Sequence, residues 1–237
     1  MDSSGPAEAS LLRFTGVHRH YGEGDAIVRA LDGVDLAIAP SEFVAITGAS
    51  GSGKSTALSI LGCLDLPTAG AYFIEGHPVQ SLSGDVLAAL RNAKFGFIFQ
   101  SYNLLARTSA LDNVSLPLIY AGVGALEREA RAYAALSSVG LAGREDARPN
   151  QLSGGQQQRI AIARALVNDP EVILADEPTG NLDSKTGDEI MQLLSSLHLT
   201  RGITVIMVTH DLTCASWAKR RVVFRDGRIA SDTPVSA

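Results

Sequence analysis

Compact apolar runs alternate along the chain with segments of helical periodicity. Residues 42–47, 95–99, 171–175 and 203–208 are short, almost continuously apolar and bounded by turn formers, the pattern of strands buried inside a sheet. Residues 57–61, 86–91, 110–120, 125–139 and 160–166 read as helices. A further helix begins at Ser184 and carries apolar positions at Ile190, Leu193, Leu194 and Leu197. Gly140 sits where a helix C-terminus favours glycine, and Pro149 marks a boundary. Residues 11–38 predict short antiparallel strands with turns at 22–25 and at Asp32-Gly33, and residues 71–75 another short strand. Residues 221–229 predict a closing hairpin around Asp226-Gly227. The alternation predicts an α/β fold with a mainly parallel core sheet and an N-terminal antiparallel β-subdomain. The β-pattern stops after residue 100, so a helical subdomain is expected at about 101–165, inserted in a single domain spanning 11–237. Residues 1–10 are polar and predict a loose tail.

Composition narrows the classes. With 46% hydrophobic and 19% charged residues over 237 positions, the chain can bury a large core and is not of the disordered class. A net charge of -5 argues against a general nucleic-acid binder, which carries a basic field. No apolar run reaches the roughly 18 residues a membrane span needs, so a membrane partner is expected to be another polypeptide. Cys63 and Cys214 form no CxxC pair and predict two buried free thiols, as suits a reducing cytoplasm.

The strongest chemistry follows the first buried strand. Gly48-Ala49-Ser50-Gly51-Ser52-Gly53-Lys54-Ser55-Thr56 lies between that strand and a helix, the context of a phosphate loop. Its glycines let backbone N–H groups approach β- and γ-phosphates, Lys54 supplies a point charge, and the Ser55 hydroxyl is a ligand for Mg²⁺. The other buried strands end on polar groups. Gln100 follows the second and is placed to reach Mg²⁺ or an attacking water. Asp176 and Glu177 follow the third; two adjacent carboxylates are costly there unless they serve a cation and a reaction. Asp176 suits the Mg²⁺ shell and Glu177 a general base. His210 follows the fourth, where it can donate to a γ-phosphate. Leu152-Ser153-Gly154-Gly155-Gln156 opens the helix of residues 160–166 as a second anion-binding helix start, with Ser153 as N-cap. Asp183 is either a helix-start residue or a ligand contact, and Tyr21 either packs beside its turn or stacks on a base. His18, His20, His77 and His198 lack strand-end placement and predict no special role.

This ordered set resembles the ATP-binding-cassette (ABC) ATPases over about residues 11–230. It is closest to the subfamily of lipoprotein-releasing, macrolide-export and cell-division ATPases. Ile60-Leu61-Gly62-Cys63-Leu64-Asp65, Phe97-Ile98-Phe99-Gln100-Ser101-Tyr102-Asn103-Leu104-Leu105, Leu118-Ile119-Tyr120-Ala121-Gly122 and residues 175–184 carry that closer likeness. Ala106 departs from the proline the subfamily often has, and Leu66 from a polar or basic residue, both away from the phosphate chemistry. The resemblance implies hydrolysis of ATP with Mg²⁺, by Glu177, His210, Gln100 and Lys54, and adenine stacking on Tyr21. It implies a head-to-tail homodimer on ATP binding, in which Ser153, Gly154, Gly155, Gln156 and Asp183 contact the other copy's nucleotide. It further implies a separately encoded integral-membrane permease docked near residues 101–122, and a place on the cytoplasmic face of the cell membrane through that permease. Two rival readings are a regulatory or scaffold role in a membrane complex such as that of cell division, and a soluble ABC ATPase of repair or translation. The second would ordinarily carry long insertions or a second cassette.

Overall fold

The computed structural model describes residues 10–22 and 24–235, without the side chain of Asp25. All but the last residue of the tail expected over 1–10 lies outside the described residues. In chain order the strands and helices begin with β1 (Leu12–Tyr21), β2 (Val28–Ile38), β3 (Phe43–Thr47), α1 (Lys54–Leu61), β4 (Ala69–Ile74) and β5 (His77–Pro78). They continue with α2 (Gly84–Lys94), β6 (Phe95–Phe99), α3 (Ala110–Tyr120), α4 (Ala125–Ser138), α5 (Gly154–Leu166) and β7 (Val172–Asp176). The last are α6 (Ser184–Arg201), β8 (Thr204–Val208), α7 (Leu212–Ala215), β9 (Arg220–Arg225) and β10 (Arg228–Pro234). The chain forms two compact units, one running to Leu87 and resuming at Thr204, the other Ala88–Ile203.

In the first unit β1, β2, β4 and β5 form an antiparallel sheet in the order β2-β1-β4-β5. Its strands alternate, burying Leu12, Phe14 and Val17 from β1 and Leu36 and Ile38 from β2. The Phe14 and Tyr72 rings meet edge to face at 5.0 Å, and the buried Tyr72 hydroxyl donates to the Leu61 carbonyl at 2.6 Å. The strands are longer than the sequence suggests, because Asp32-Gly33 is not a turn. It lies within β2 opposite His18, where the register shifts between Val17 and His18 and Gly33 adopts φ 75°. A glycine and an aspartate mark bulges as well as turns, and the apolar residues on both sides keep the strand going. The β3 strand is buried along its whole length, as a strand with parallel neighbours on both sides must be. Those neighbours are β8, with Phe43 opposite Val205, and β9, with Val44 opposite Arg220. The β9/β10 hairpin turns through Asp226 (φ 49°) and Gly227 (φ 75°), as predicted.

In the second unit β6 and β7 pair in parallel, with Phe99 opposite Asp176. Helix α5 packs on β6 at Gly96, where an added Cβ would strike the Ala165 carbonyl oxygen, so only glycine fits. Helices α3, α4 and α5 pack on one another. The buried Asn113 ties the loop before α3, accepting from the Leu105 amide at 2.7 Å and donating to the Thr108 hydroxyl at 2.8 Å. Helix α4 ends at Ser138 with Val139 as its C-cap, followed by Gly140 at φ 77° as expected.

Candidate functional site

The first unit carries the phosphate-loop motif. Because β3 and β8 run parallel with Ile46 opposite Val208, the loop beginning at Gly48 and the exposed His210 leave the same sheet edge. The Thr209 amide fastens that edge by donating to the Ile46 carbonyl at 3.1 Å. Asp211 caps α7, accepting from the Thr213 amide at 2.7 Å.

The loop is shaped by backbone crowding. At Gly48 (φ 145°) a Cβ would run into the Phe224 carbonyl oxygen and come within 2.8 Å of Ser52 Oγ. At Gly53 (φ 104°) it would strike the Ala30 carbonyl oxygen. Gly53 is the N-cap of α1 and supplies no side-chain cap, so no capping side chain covers the first amides of that helix. The buried Ser52 Oγ has no hydrogen-bond partner among the described residues. Lys54 is buried to 8% exposure, and its Nζ donates to the Gly48 and Ala49 carbonyls at 2.9 and 2.7 Å. The ammonium is thus held over the loop, while Ser55, the next residue of α1, is exposed. Glycine-shaped backbone, a buried cation, an orphaned hydroxyl and an uncapped helix start together fit a polyphosphate.

Tyr21 ends β1 with 42% of its surface exposed. Its hydroxyl donates to Asp65 Oδ2 at 2.9 Å, and the Arg19 guanidinium lies 4.5 Å from the ring centroid. Arg19 also donates to Asp65 Oδ2 at 2.8 Å. Against the opposing effect of burial, these bonds and the Leu66 amide hold the Asp65 carboxyl below the usual carboxylate range. The ring is therefore oriented at its hydroxyl end.

The second unit carries the remaining candidates. The β6/β7 register sets Gln100 and Glu177 one residue beyond the paired Phe99 and Asp176, at one sheet edge. Glu177 adopts φ 47°, a left-handed conformation that costs a non-glycine residue of order 1–3 kcal/mol and is concentrated at functional positions. Gln100 Nε2 donates to Asn181 Oδ1 at 3.4 Å, and Asn181 Nδ2 returns a bond to the Gln100 carbonyl at 2.9 Å. Gly180 is packed against the Gln100 side chain, 2.7 Å from its Nε2 to a would-be Cβ.

Ser153 is the N-cap of α5 in a reciprocal capping box. Its Oγ accepts from the Gln156 amide at 3.3 Å, and Gln156 Oε1 accepts from the Ser153 amide at 3.0 Å. The two glycines that follow answer to packing. A Cβ on buried Gly155 would strike Thr186 Cγ2, and one on Gly154 would lie 2.9 Å from the Tyr102 hydroxyl. Asp183 resolves as the N-cap of α6, accepting from the Thr186 amide at 3.0 Å and from its hydroxyl at 2.7 Å. The Thr186 hydroxyl first, and then its amide, hold the Asp183 carboxyl below its ordinary range.

Three supporting residues are not legible from sequence. Buried Gln158 on α5 donates to the Pro178 carbonyl, one residue past Glu177, while its Oε1 is buried without a partner among the described residues. Arg164 donates to the Asn103 and Tyr102 carbonyls at 2.6 and 2.8 Å, fixing the turn after Gln100 where both residues take positive φ. Burial lowers the Arg164 pKa. Asn181 is the third. Only Arg164 offered a signal, a basic residue standing in the otherwise apolar run 160–166, which demands a partner.

The family profile described as ABC transporter matches residues 31–180. The macrolide export ATP-binding/permease protein MacB of Hyphomonas neptunium is 56% identical over 223 residues, which cover 94% of this chain and 34% of the relative. Its namesake in Brucella abortus is 53% identical over 227 residues, 96% of this chain and 35% of the relative. The chain thus spans about a third of the length of these curated relatives. Among solved structures, the dimeric ATP-binding cassette MJ0796, in a post-hydrolysis state bound to ADP and Pi, is 46% identical with a TM-score of 0.87. That match covers 95% of this chain and 99% of the other. The cassette cbiO1 of Clostridium perfringens is 30% identical with a TM-score of 0.85, over 96% and 89%.

The Asp183 cap gives a pH test. Its depressed carboxyl contributes stability fully present above the ordinary carboxylate pKa of about 4 and lost as pH falls through the lower folded value. The Tm difference between the wild type and Asp183→Asn, whose amide cannot accept both Thr186 bonds, should narrow as pH drops below about 4. Thermal melts across the acid range check this, and a pH-independent difference contradicts it.

Proposed function

The chain belongs to the ABC transporter family, as an ATP-binding ATPase domain, and from that premise we propose that it powers a membrane permease through ATP-driven closure of two copies. The observation that carries the proposal is the α1 start. There buried Lys54, the orphaned Ser52 hydroxyl and the uncapped helix amides form an acceptor for the phosphates of ATP. Tyr21, oriented through its hydroxyl, stacks on the adenine.

Ser55, Gln100 and Asp176 are the residues that would hold Mg²⁺. A hydroxyl, an amide oxygen and a carboxylate are the hard oxygen donors this ion takes, and Gln100 turns its Nε2 toward Asn181, which leaves the amide oxygen as the ligand atom. When bound, the ion supplies neutralisation of charge on the phosphate oxygens. Glu177 is the general base for the attacking water. Its left-handed backbone, followed by a Pro178 carbonyl held by Gln158, fixes where the carboxylate leaves the strand. Lys54 and His210 donate to the γ-phosphate oxygens as charge develops there.

Ser153, Gly154, Gly155, Gln156 and Asp183 serve the nucleotide of the second copy. The dimeric state of the MJ0796 cassette supports this reading. The Ser153/Gln156 box presents a fixed α5 start, and Gly154 and Gly155 keep it close to Tyr102 and Thr186. The permease, expected on a separate polypeptide at the cytoplasmic face of the membrane, docks on residues 101–122. A groove there is lined by Leu105, Leu111, Ile119 and Ala125 and edged by Asp112 and Arg128, a fit for one face of an amphipathic helix. The names of the relatives, which join ATP binding and a permease in one protein, support a permease as what the chain powers. No described helix is long and apolar enough to cross a membrane.

Two experiments test the proposal. Glu177→Gln should bind ATP within a few-fold of wild type while turnover falls by about 10²-fold or more; turnover at the wild-type rate would overturn the base assignment. A permease that copurifies with the wild type should also copurify with Lys54→Ala but be lost from Leu105→Asp/Ile119→Asp. Unchanged association of the double variant contradicts the docking assignment.

A further inference from the structure

The antiparallel sheet of the first unit gathers two of the histidines for which the sequence predicts no role. His18 and His20, two residues apart on β1, project to the same face of the strand. Asp32 on β2 is the register partner of His18, and register shifts occur on both sides of this pair, between Val17 and His18 and between Arg19 and His20. Bulges of this kind re-aim side chains. Gly33, at φ 75°, lies beside the first of them: a Cβ there would be in ordinary van der Waals contact with the His18 ring, 3.6 Å from Cε1 and 3.7 Å from Nε2. The other edge of β1 is fastened to the segment before β4, where the Thr68 amide donates to the His18 carbonyl at 2.8 Å. The Thr68 hydroxyl accepts from the His20 amide at 3.1 Å.

The side-chain geometry is that of an assembled ligand set. One ligand atom from each of His18, His20 and Asp32 lies within 4.8 Å of the other two. His18 Nδ1 stands 3.3 Å from Asp32 Oδ1, and the two imidazole rings meet edge to face at 5.6 Å. Arg228 grips the other carboxylate oxygen, with Nε and Nη2 at 3.1 and 2.6 Å from Oδ2, which fixes the carboxylate and leaves Oδ1 directed at the imidazoles. That hydrogen bond is also the main reason the Asp32 carboxyl titrates below its ordinary range, so the group is anionic at neutral pH. The fourth observation is independent of the other three. His20 Nε2 is fully buried and has no hydrogen-bond partner among the described residues. A buried ring nitrogen is ordinarily satisfied by a protein group or water.

We propose that His18, His20 and Asp32 form a binding site for a divalent transition metal of the zinc class, clipping β1 to β2. Two neutral imidazoles and one carboxylate suit Zn²⁺, Co²⁺ or Ni²⁺, whereas Mg²⁺ and Ca²⁺ take sets made of oxygen alone. Metal–ligand bonds of about 2.0–2.2 Å place tetrahedral ligand atoms about 3.4 Å apart. The 4.8 Å cluster must therefore contract around a bound metal. Arg228 acts as the outer partner that orients the carboxylate, the role hydrogen-bonded groups play around metal ligands. The site lies wholly within the first unit and makes no use of ATP.

The test uses the nucleotide-free protein with Co²⁺ and Zn²⁺ as probes. The wild type should bind one Co²⁺ with a visible d–d band of tetrahedral intensity and no sulfur-to-cobalt charge transfer, which separates this site from Cys63 and Cys214. Zn²⁺ should displace the band and, at about a hundredfold excess over Kd, raise Tm by about 5–10 °C. His20→Gln should lose the band and the Tm rise, weakening binding by more than the roughly 10–100-fold typical of outer partners. His18→Gln, at the other histidine of the strand, gives the same readout if His20→Gln fails to fold. A wild type without saturable Co²⁺ binding, or a folded variant that binds Co²⁺ as the wild type does, overturns the proposal. Mg²⁺ should leave Tm unchanged at equal concentration; an equal rise with Mg²⁺ also overturns it.

Discussion

The proposed phosphate site of the first unit depends on a helix that starts without a side-chain cap. The first four amides of a helix must be satisfied by something. Helices α5, α6 and α7 meet the demand internally, through Ser153, Asp183 and Asp211. Helix α1 begins at Gly53 with no side-chain cap, and its approach is dictated by backbone: Gly48 lies against the Phe224 carbonyl and Gly53 against the Ala30 carbonyl. No side chain larger than hydrogen fits either position. The loop is held by β9 and β2 through those contacts and by Lys54 through its own carbonyls, so its shape precedes any ligand. A phosphate arriving there meets donors already aimed, the condition under which electrostatic stabilisation is strongest.

The second unit achieves order by a different route. Its strand-end groups are steered by neighbouring side chains: Asn181 for Gln100, Gln158 for the backbone after Glu177, Arg164 for the turn at Tyr102 and Asn103. The Ser-Gly-Gly stretch is likewise more constrained than an open loop. Its serine is spent on a capping box, and its glycines are required by Tyr102 and Thr186. Ser153 is thus presented on a rigid, outward-facing helix start, which suits it to a ligand carried by another molecule.

Much of this was readable from the chain because the signals were backbone demands. Buried strands declare themselves as apolar runs, and β3, β6, β7 and β8 fall within a residue or two of the predicted bounds. The strand–loop–helix context of Gly48 to Thr56 and the cap at Ser153 follow from glycine and cap chemistry in the same way. What stayed hidden was relational. Asp32-Gly33 reads equally as a turn or a bulge, and the pairing partner His18 decides between them. Gln158 and Arg164 look like polar interruptions of a helix until the carbonyls they serve are brought up by chain 20 and 61 residues away in sequence. His18, His20 and Asp32 assemble only through register, which no single stretch of sequence contains.

The central claim is that each ATP is worked on by Lys54 of one copy and Ser153 of another. Lys54→Ala and Ser153→Arg proteins should each be nearly inactive alone. Mixed in equal amounts, half the dimers carry one intact site of two, so ATPase activity should return to about a quarter of the wild-type rate. A mixture no more active than its two components, each shown to be folded and able to dimerise, would contradict the account.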